Sequence, residues 1–281
     1  MESGSGSRRS RPVRVVWIAA AGFLLVAFFI YLGFPYDRLA DVVAAEASQS
    51  TPIQLRIAGM GPRLGLAGPG IELTGVRATW EGETLMLDYA RLRPAWSLAW
   101  LRGQPVVHAE VAGPMGDGWG TVGTDGRWKA DLRDVDLARM PLGRLWPGSD
   151  LTGRADASLD LRRVEEGVQG ALTFEARDGS LAAPGLPVAI PYDRLSGELE
   201  IGGDALVSVK AFQLEGPLVS AELSGSIGRA RSFQAAPLRL QLRLTADPSL
   251  RAPLEQAGLR IGRDGSARLH ISGTPSRPLV R

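Results

Sequence analysis

The chain of 281 residues contains no cysteine and only two histidines. Without cysteine there are no disulfides and no thiolate metal ligands, an absence that suits either an oxidising or a reducing compartment. His108 and His270 both alternate with apolar neighbours, so both are predicted to lie on the polar faces of strands. Neither has a second histidine or a cysteine to complete a zinc site, and no metal or cofactor is predicted.

The sequence also lacks a recognisable catalytic constellation. The stretch Gly118-Trp-Gly120-Thr-Val-Gly123 fits the pattern G-x-G-x-x-G, but a dinucleotide-binding motif must follow a strand and open a helix. Here the motif falls in a run of Gly, Asp and Pro, which predicts a flexible hairpin loop. Asp117 and Asp125 nearby lack the spacing of a calcium loop. No G-x-S-x-G elbow occurs, so we expect no catalytic residues and no enzyme.

Positive charge is confined to the N-terminus. The first fourteen residues hold Arg8, Arg9, Arg11 and Arg14 against Glu2, a local charge of +3. The whole chain carries +2, which leaves −1 for the remaining residues. Binding to phosphate backbones requires a clustered positive field, so no nucleic-acid partner is predicted.

One long apolar run follows this basic tail. Residues 15–34 carry no charge, and at about 1.5 Å per residue they match a hydrocarbon core roughly 30 Å thick. Because arginines precede the run, we expect a cytoplasmic tail (1–14), a single transmembrane helix (15–34) and a main domain on the other side of the membrane, which is the periplasm in a Gram-negative bacterium. The predicted membrane-anchor residues are Arg14, Val15, Trp17, Tyr31 and Phe34.

Two alternatives to a retained anchor fit the sequence less well. A cleaved signal peptide usually has a shorter apolar region that ends close to its cleavage site, whereas Ala45-Glu-Ala47 lies more than ten residues past this run. The pair Arg8-Arg9 resembles a twin-arginine signal, but Arg11-Pro12 follows it instead of the usual apolar residues. The retained anchor is therefore preferred.

A helix is predicted after the anchor, over residues 35–50. Asp37 is a good N-cap, and Leu39, Val42 and Val43 have helical spacing. The pattern does not separate a helix on the membrane surface from the first element of the folded domain.

From residue 51 onward the apolar period becomes two, which is typical of half-buried strands. Nine such segments are Ile53/Leu55/Ile57, Leu85/Leu87/Tyr89, Val107/Ala109/Val111, Ala157/Leu159/Leu161, Val168/Gly170/Leu172/Phe174, Leu195/Gly197/Leu199/Ile201, Val219/Ala221/Leu223/Ile227, Leu238/Leu240/Leu242/Leu244 and Ala267/Leu269/Ile271. No regular alternation of strand and helix supports a parallel sheet. The fold class predicted for residues 51–281 is mainly β, a curved antiparallel sheet or a sandwich with one or two short helices.

Two helical interruptions are predicted. One has Asp247 as N-cap, Pro248 at its first position, Leu250 and Leu254 on one face and Gly258 past its end. The other, over residues 94–103, is predicted to be a short helix or a wide loop.

A sheet with one apolar face must cover that face with another sheet, curl over itself, or leave a groove for an apolar ligand. The predicted helices are too few to act as a lid. The residues proposed for such an apolar groove are Val219, Leu223, Ile227, Leu238, Leu240, Leu242 and Leu244.

Three segments carry a family resemblance. They are "FPYDRLADVVA", which follows the apolar run, "SLAWLRGQPVVHAEV" over residues 97–111, and "GLRIGRDGSARLHISGTPSRP" over residues 258–278. With the N-terminal span, they resemble the type II secretion system protein N (GspN) family over nearly the whole chain. The stretch "LEGPLVSAELSGSIG" is also similar to AsmA-like and TamB-like envelope proteins.

The GspN resemblance implies a single-pass inner-membrane protein with a periplasmic β domain, an accessory component of the type II secretion system without catalytic residues. Its partners would be other secretion subunits. The AsmA-like resemblance implies an alternative, a lipid-binding or lipid-transfer module with a hydrophobic groove. The secretion subunit is the function expected first, and the lipid-binding module is the alternative to it.

Overall fold

The fold is taken from a computed structural model of the chain. It describes residues 22–23, 25–26, 28–50, 53–65, 68–80, 83–95, 103–140, 149–165, 167–182, 188–203, 206–230, 235–256 and 261–280.

Most described residues belong to strands. The strands are β1 (Ile53–Gly65), β2 (Gly68–Trp80), β3 (Glu83–Pro94), β4 (Val106–Gly113), β5 (Gly116–Gly123), β6 (Arg127–Asp136), β7 (Asp150–Leu151), β8 (Arg154–Val164), β9 (Gly167–Ala182), β10 (Ile190–Ile201), β11 (Val207–Glu215), β12 (Val219–Ile227), β13 (Leu238–Ala246), β14 (Ser266–Thr274) and β15 (Arg277–Val280). The helices are α1 (Tyr36–Ser50), α2 (Arg251–Gln256) and the 3-10 turns Leu137–Arg139 and Pro248–Leu250. The described residues from 22 to 33 are also helical.

The strands form one antiparallel sheet of 15 strands. Each strand pairs with the next along the chain, except that β6 pairs with β8 and the short β7 pairs with β9. The predicted mainly-β antiparallel class is confirmed, and all nine predicted segments lie in strands. The described strands do not form two facing sheets, so the sandwich is not the arrangement found.

The stretch predicted as a flexible loop is strand β5. It pairs with β4 on one side and β6 on the other. Its glycines allow a close approach, because a Cβ atom on Gly120 would lie 2.8 Å from the carbonyl oxygen of Lys129. The loop prediction for this stretch was therefore wrong.

Helix α1 belongs to the folded domain. It packs against β1, and the backbone N–H of Leu55 donates a hydrogen bond of 3.4 Å to Ser48 Oγ. Tyr36 and Ala40 of α1 are buried, and burial raises the pKa of Tyr36.

The predicted membrane anchor lies only partly within the described residues. Arg14, Val15 and Trp17 fall outside them. In the part of the chain that is described, no helix combines the length and the apolar composition needed to cross a bilayer.

A compact core closes one end of strands β8 to β14. It is built by Tyr192, Leu195 and Leu214 from the sheet, with Leu250 and Leu254 from the connection after β13. Asp247 begins this connection as predicted, since its Oδ1 accepts a hydrogen bond of 2.9 Å from the N–H of Ser249. The predicted helix is present as a 3-10 turn followed by α2, while the predicted end at Gly258 lies outside the described residues.

The other predicted interruption, over residues 94–103, lies mostly outside the described residues. Pro94 is the last residue of β3 and Gly103 lies in a turn, but residues 96–102 between them fall outside the described ranges.

Candidate functional site

A continuous row of apolar residues crosses the sheet. Residues directly opposite each other on paired antiparallel strands share a face, so the register defines the row from strand to strand. This middle row consists of Pro62, Ile71, Leu92, Ala109, Gly120, Ala130, Leu159, Leu172, Leu199, Val209, Gly225, Leu240 and Ile271. It takes one residue from each strand from β1 to β14, apart from β7. With about 4.8 Å between neighbouring strands, the row is on the order of 60 Å long.

A second row runs beside the middle row. Its residues lie two positions further along most strands, so they are on the same face of the sheet. In β11 the spacing is three residues because of a bulge. This inner row consists of Met60, Leu73, Ala90, Val111, Gly118, Leu132, Ala157, Phe174, Gly197, Phe212, Leu223, Leu242 and Leu269. Like the middle row, it contains no polar side chain.

A third row lies on the other side of the middle row. This outer row consists of Pro94, Val107, Val122, Trp128, Leu161, Gly170, Ile201, Val207, Ile227, Leu238 and Gly273. We call the inner, middle and outer rows together the apolar face.

A fourth row continues the same face into the core and is closed. It consists of Val135, Ala155, Ala176, Leu195, Leu214, Ala221, Leu244 and Ala267. Leu244 is only 7% exposed and Val219, two residues from Ala221, is 3% exposed. Both belong to the buried core cluster, so the prediction that they line an open groove was wrong.

The apolar face remains accessible over much of its width. Phe174, Phe212 and Leu242 are only partly buried, although they occupy the interior of a large sheet. Val122 is 52% exposed and Leu132 is 36% exposed. Of the predicted groove residues, Leu223, Ile227, Leu240 and Leu242 are partly exposed members of this face, and Leu238 is a buried member. Sequence reasoning found this stretch on β12 and β13 but missed its extension to β1.

The opposite face of the sheet is polar. One of its rows consists of Arg93, His108, Thr121, Lys129, Asp160, Ala171, Glu200, Ser208, Ser226, Arg239 and Ser272. His270 lies opposite Gln241 in the neighbouring polar row, so both histidines are on the predicted face. The two faces therefore differ sharply in chemistry.

Ion pairs stabilise the polar face across strands. Lys129 Nζ lies 2.8 Å from Asp160 Oδ2, and Glu175 Oε2 accepts a hydrogen bond of 2.9 Å from Arg194. Arg177, and then Arg194, hold the pKa of Glu175 below its ordinary value. Such pairs are exposed, so each contributes little to stability.

The first hairpin of the sheet carries the N-terminal helical residues. The hydroxyl group of Tyr31 accepts hydrogen bonds from the N–H of Arg63 at 3.0 Å and of Gly70 at 3.2 Å. Among the helical residues beside it, Phe29 and Ile30 are each 62% exposed. Phe34 is 44% exposed and packs edge-on against Tyr36. An exposed apolar helix thus contacts the edge of the sheet at which the rows begin.

The described residues contain no group of three or more His, Cys, Asp or Glu side chains that could hold a metal ion. The rows of paired residues make the apolar face the chemical feature that distinguishes this sheet.

No protein-family model, curated protein or solved structure matches this chain. The family resemblances of the sequence therefore remain expectations, and function is argued from the geometry of the apolar face.

Proposed function

We propose that this protein is a non-enzymatic lipid-binding module, in which the apolar face holds the acyl chains of membrane lipids. The observation that carries the proposal is the middle row, which crosses the sheet from Pro62 to Ile271 without a polar side chain. Exposed apolar surface of this extent is unfavourable in water and is typical of a binding site.

The face suits acyl chains better than a compact ligand. Its backbone N–H and C=O groups are engaged in the strand ladders, so it offers dispersion contacts and few hydrogen-bonding groups. Three rows with two-residue spacing make a band roughly 14 Å wide, enough for more than one chain side by side. Each CH₂ group buried there contributes about 0.8 kcal/mol.

The proposed route runs along the sheet, across the strands. It begins at β1, beside the exposed apolar side chains of Phe29 and Ile30, and continues to β14. In this proposal residues 15–34 anchor the chain in a bacterial inner membrane, with the N-terminus in the cytoplasm and the sheet in the periplasm. Lipid leaving the bilayer would then meet the first strands of the apolar face.

The test is native mass spectrometry of the full-length protein, released from membranes in a mild non-ionic detergent, together with extraction and identification of the lipids it retains. We expect one or more phospholipids to remain bound after the detergent is exchanged. A protein that carries no lipid, and that binds none when phosphatidylglycerol is added, contradicts the proposal.

A second candidate is the secretion subunit implied by the GspN resemblance. It is favoured by the exposed charges of the polar face, such as Glu222, which has no ion pair among the described residues. If this face binds secretion subunits, Glu222→Lys should abolish their co-purification while lipid binding is unchanged. Unchanged co-purification in that variant would argue against this use of the polar face.

A further inference from the structure

Two arginines lie side by side on the face of the sheet that carries the apolar rows. Arg56 of β1 is directly opposite Arg77 of β2. Arg56 is four residues from Met60 of the inner row, and Arg77 is four residues from Leu73. Because side chains alternate between the two faces with a period of two, both arginines are on the face of the inner row. We call them the arginine pair.

The alternation of faces is continuous between the arginine pair and the inner row. The two strands keep one register over this stretch, and no residue of β1 has a positive φ. Gly75 of β2 has a φ of +57°, but a Cβ atom on it would lie 2.8 Å from Cβ of Ala58, so these two residues point to the same side. The arginine pair therefore shares a face with the apolar rows, whereas the ion-paired Arg63 and Arg91 lie on the polar face.

The positive charge of the arginine pair is not balanced. Both side chains are exposed, and neither forms an ion pair within the described part of the chain. The alternation places one other charged residue on this face of β1, β2 and β3, which is Asp88. Asp88 is exposed and forms no ion pair with either arginine. Two positive charges and one negative charge leave this part of the face at +1.

The position of the arginine pair is unfavourable without a ligand. Like charges that are directly opposite each other on paired strands destabilise a sheet. On the polar face, the opposite arginines Arg177 and Arg194 share the carboxylate of Glu175, whose oxygens lie 2.9 Å from a guanidinium nitrogen of each. Arg56 and Arg77 share no such carboxylate among the described residues. An anion bound between them would occupy the corresponding place.

The arginine pair is also within reach of the proposed acyl-chain route. Between it and the inner row lie Ala58 and Gly75, which carry at most a methyl group. Four residues along a strand span about 13 Å. The ester, glycerol and phosphate groups of a phospholipid, met by an extended arginine side chain, bridge this length. Acyl chains on the inner row would therefore place their phosphate group beside the two guanidinium groups.

We infer that the arginine pair binds the phosphate group of a phospholipid whose acyl chains lie on the apolar face. This inference rests on the proposed lipid-binding function. A guanidinium group presents paired N–H donors that match two phosphate oxygens, and such charge-assisted hydrogen bonds are among the strong ones in proteins. A phosphate between Arg56 and Arg77 also screens their mutual repulsion. The preferred ligand is an anionic phospholipid, because this part of the face carries a net positive charge.

The test compares ligands that share parts of a phospholipid. Full-length protein in mild detergent is titrated with phosphatidylglycerol, with diacylglycerol of the same acyl chains, and with glycerol 3-phosphate. The variant is Arg56→Gln/Arg77→Gln. The matched control is Arg243→Gln/Arg268→Gln, which removes the same charge from two exposed, directly opposite arginines on the polar face of β13 and β14. Circular dichroism and thermal unfolding verify that both variants are folded.

We expect Arg56→Gln/Arg77→Gln to weaken phosphatidylglycerol binding at least tenfold and to leave diacylglycerol binding unchanged. The control should change neither. If both variants weaken phosphatidylglycerol binding equally, or if Arg56→Gln/Arg77→Gln affects both lipids equally, the phosphate site is refuted while the lipid-binding function stands. If wild-type protein binds neither lipid, both proposals fail. If glycerol 3-phosphate binds as tightly as phosphatidylglycerol, the arginine pair takes free phosphate compounds and the lipid source is refuted.

Discussion

The hydroxyl group of Tyr31 and the backbone N–H of Arg63 form a hydrogen bond of 3.0 Å between the N-terminal helical residues and the first hairpin. The same hydroxyl donates to the carbonyl oxygen of Gly70. A single phenol thus joins both strands of the hairpin to an apolar helix. This contact fixes the beginning of the apolar face relative to the segment that we propose as the membrane anchor.

Loss of this contact should loosen the end of the hairpin. In Tyr31→Phe, the amide protons of Arg63 and Gly70 lose their acceptor, and we expect them to exchange with deuterium about fivefold faster, which corresponds to about 1 kcal/mol. Hydrogen-exchange mass spectrometry of the full-length protein measures this effect. The amide of Leu73, further along β2, is the internal control and should not change. If the amide of Arg63 exchanges at the same rate in wild type and in Tyr31→Phe, the hydrogen bond to Tyr31 does not stabilise the hairpin.

Gly197 should be sensitive to the smallest substitution. It lies between Phe174 and Phe212 in the inner row, and a Cβ atom on it would lie 2.3 Å from Cε1 of Phe174. The two rings pack edge to face over this glycine, with centroids 6.0 Å apart. Gly197→Ala is expected to lower the free energy of unfolding by about 1–3 kcal/mol, because the ring of Phe174 must move.

Urea unfolding checks the prediction for Gly197. Ser196→Ala is the control, since Ser196 is the neighbouring residue and faces the opposite side of the sheet. Equal stability of the Gly197→Ala and Ser196→Ala variants would mean that the inner row accommodates a Cβ atom at residue 197 without displacing Phe174.

The sequence predicted the class of the fold because period-two alternation persists through many segments. It missed strands where that period is interrupted. In β2 the apolar positions change from odd to even numbers at Gly75, whose φ is +57°. In β6 and β11, irregular register after Leu132 and Val209 breaks the alternation. In β5, glycine replaces the apolar side chains, so composition indicates a turn although the backbone pairs on both sides.

The candidate site was predictable only in part. Alternation in β12 and β13 placed Leu240 and Leu242 on one face, and the structure agrees. Alternation cannot show which part of that face is covered. Leu244 lies on the same face but is buried in the core near Leu250 and Leu254, a contact that depends on how the chain returns after β13.

Tyr192 should stabilise the core through its hydroxyl group. The side chain is 2% exposed, and its O–H donates a hydrogen bond of 2.5 Å to the carbonyl oxygen of Thr152. Tyr192→Phe leaves that oxygen without this donor, and we expect a loss of about 1–3 kcal/mol in the free energy of unfolding at pH 8. Chemical denaturation measures the loss, and a variant as stable as wild type would contradict it.

The contribution of Tyr192 should also depend on pH. Burial raises the pKa of Tyr192 above its ordinary value of 10.0. The advantage of the neutral phenol is therefore complete below pH 10 and is lost as pH rises through the higher pKa of the folded state, because the unfolded chain ionises first. The stability difference between wild type and Tyr192→Phe should shrink above pH 10. A difference that stays constant from pH 8 to pH 11 would refute this account.

A bulky side chain on the apolar face should block lipid without harming the fold. Ala130 lies in the middle row between Gly120 and Leu159, so a phenylalanine at this position has open space beside the glycine. We expect Ala130→Phe to unfold within about 1 kcal/mol of wild type and to lose most of its bound phospholipid, because the ring occupies the route of the acyl chains. The control is Ser158→Phe, which adds the same ring to the exposed polar face of β8. Native mass spectrometry of both full-length variants measures retained lipid. If the apolar face is the binding site, only Ala130→Phe loses it; if both variants retain lipid equally, acyl chains do not pass this part of the middle row.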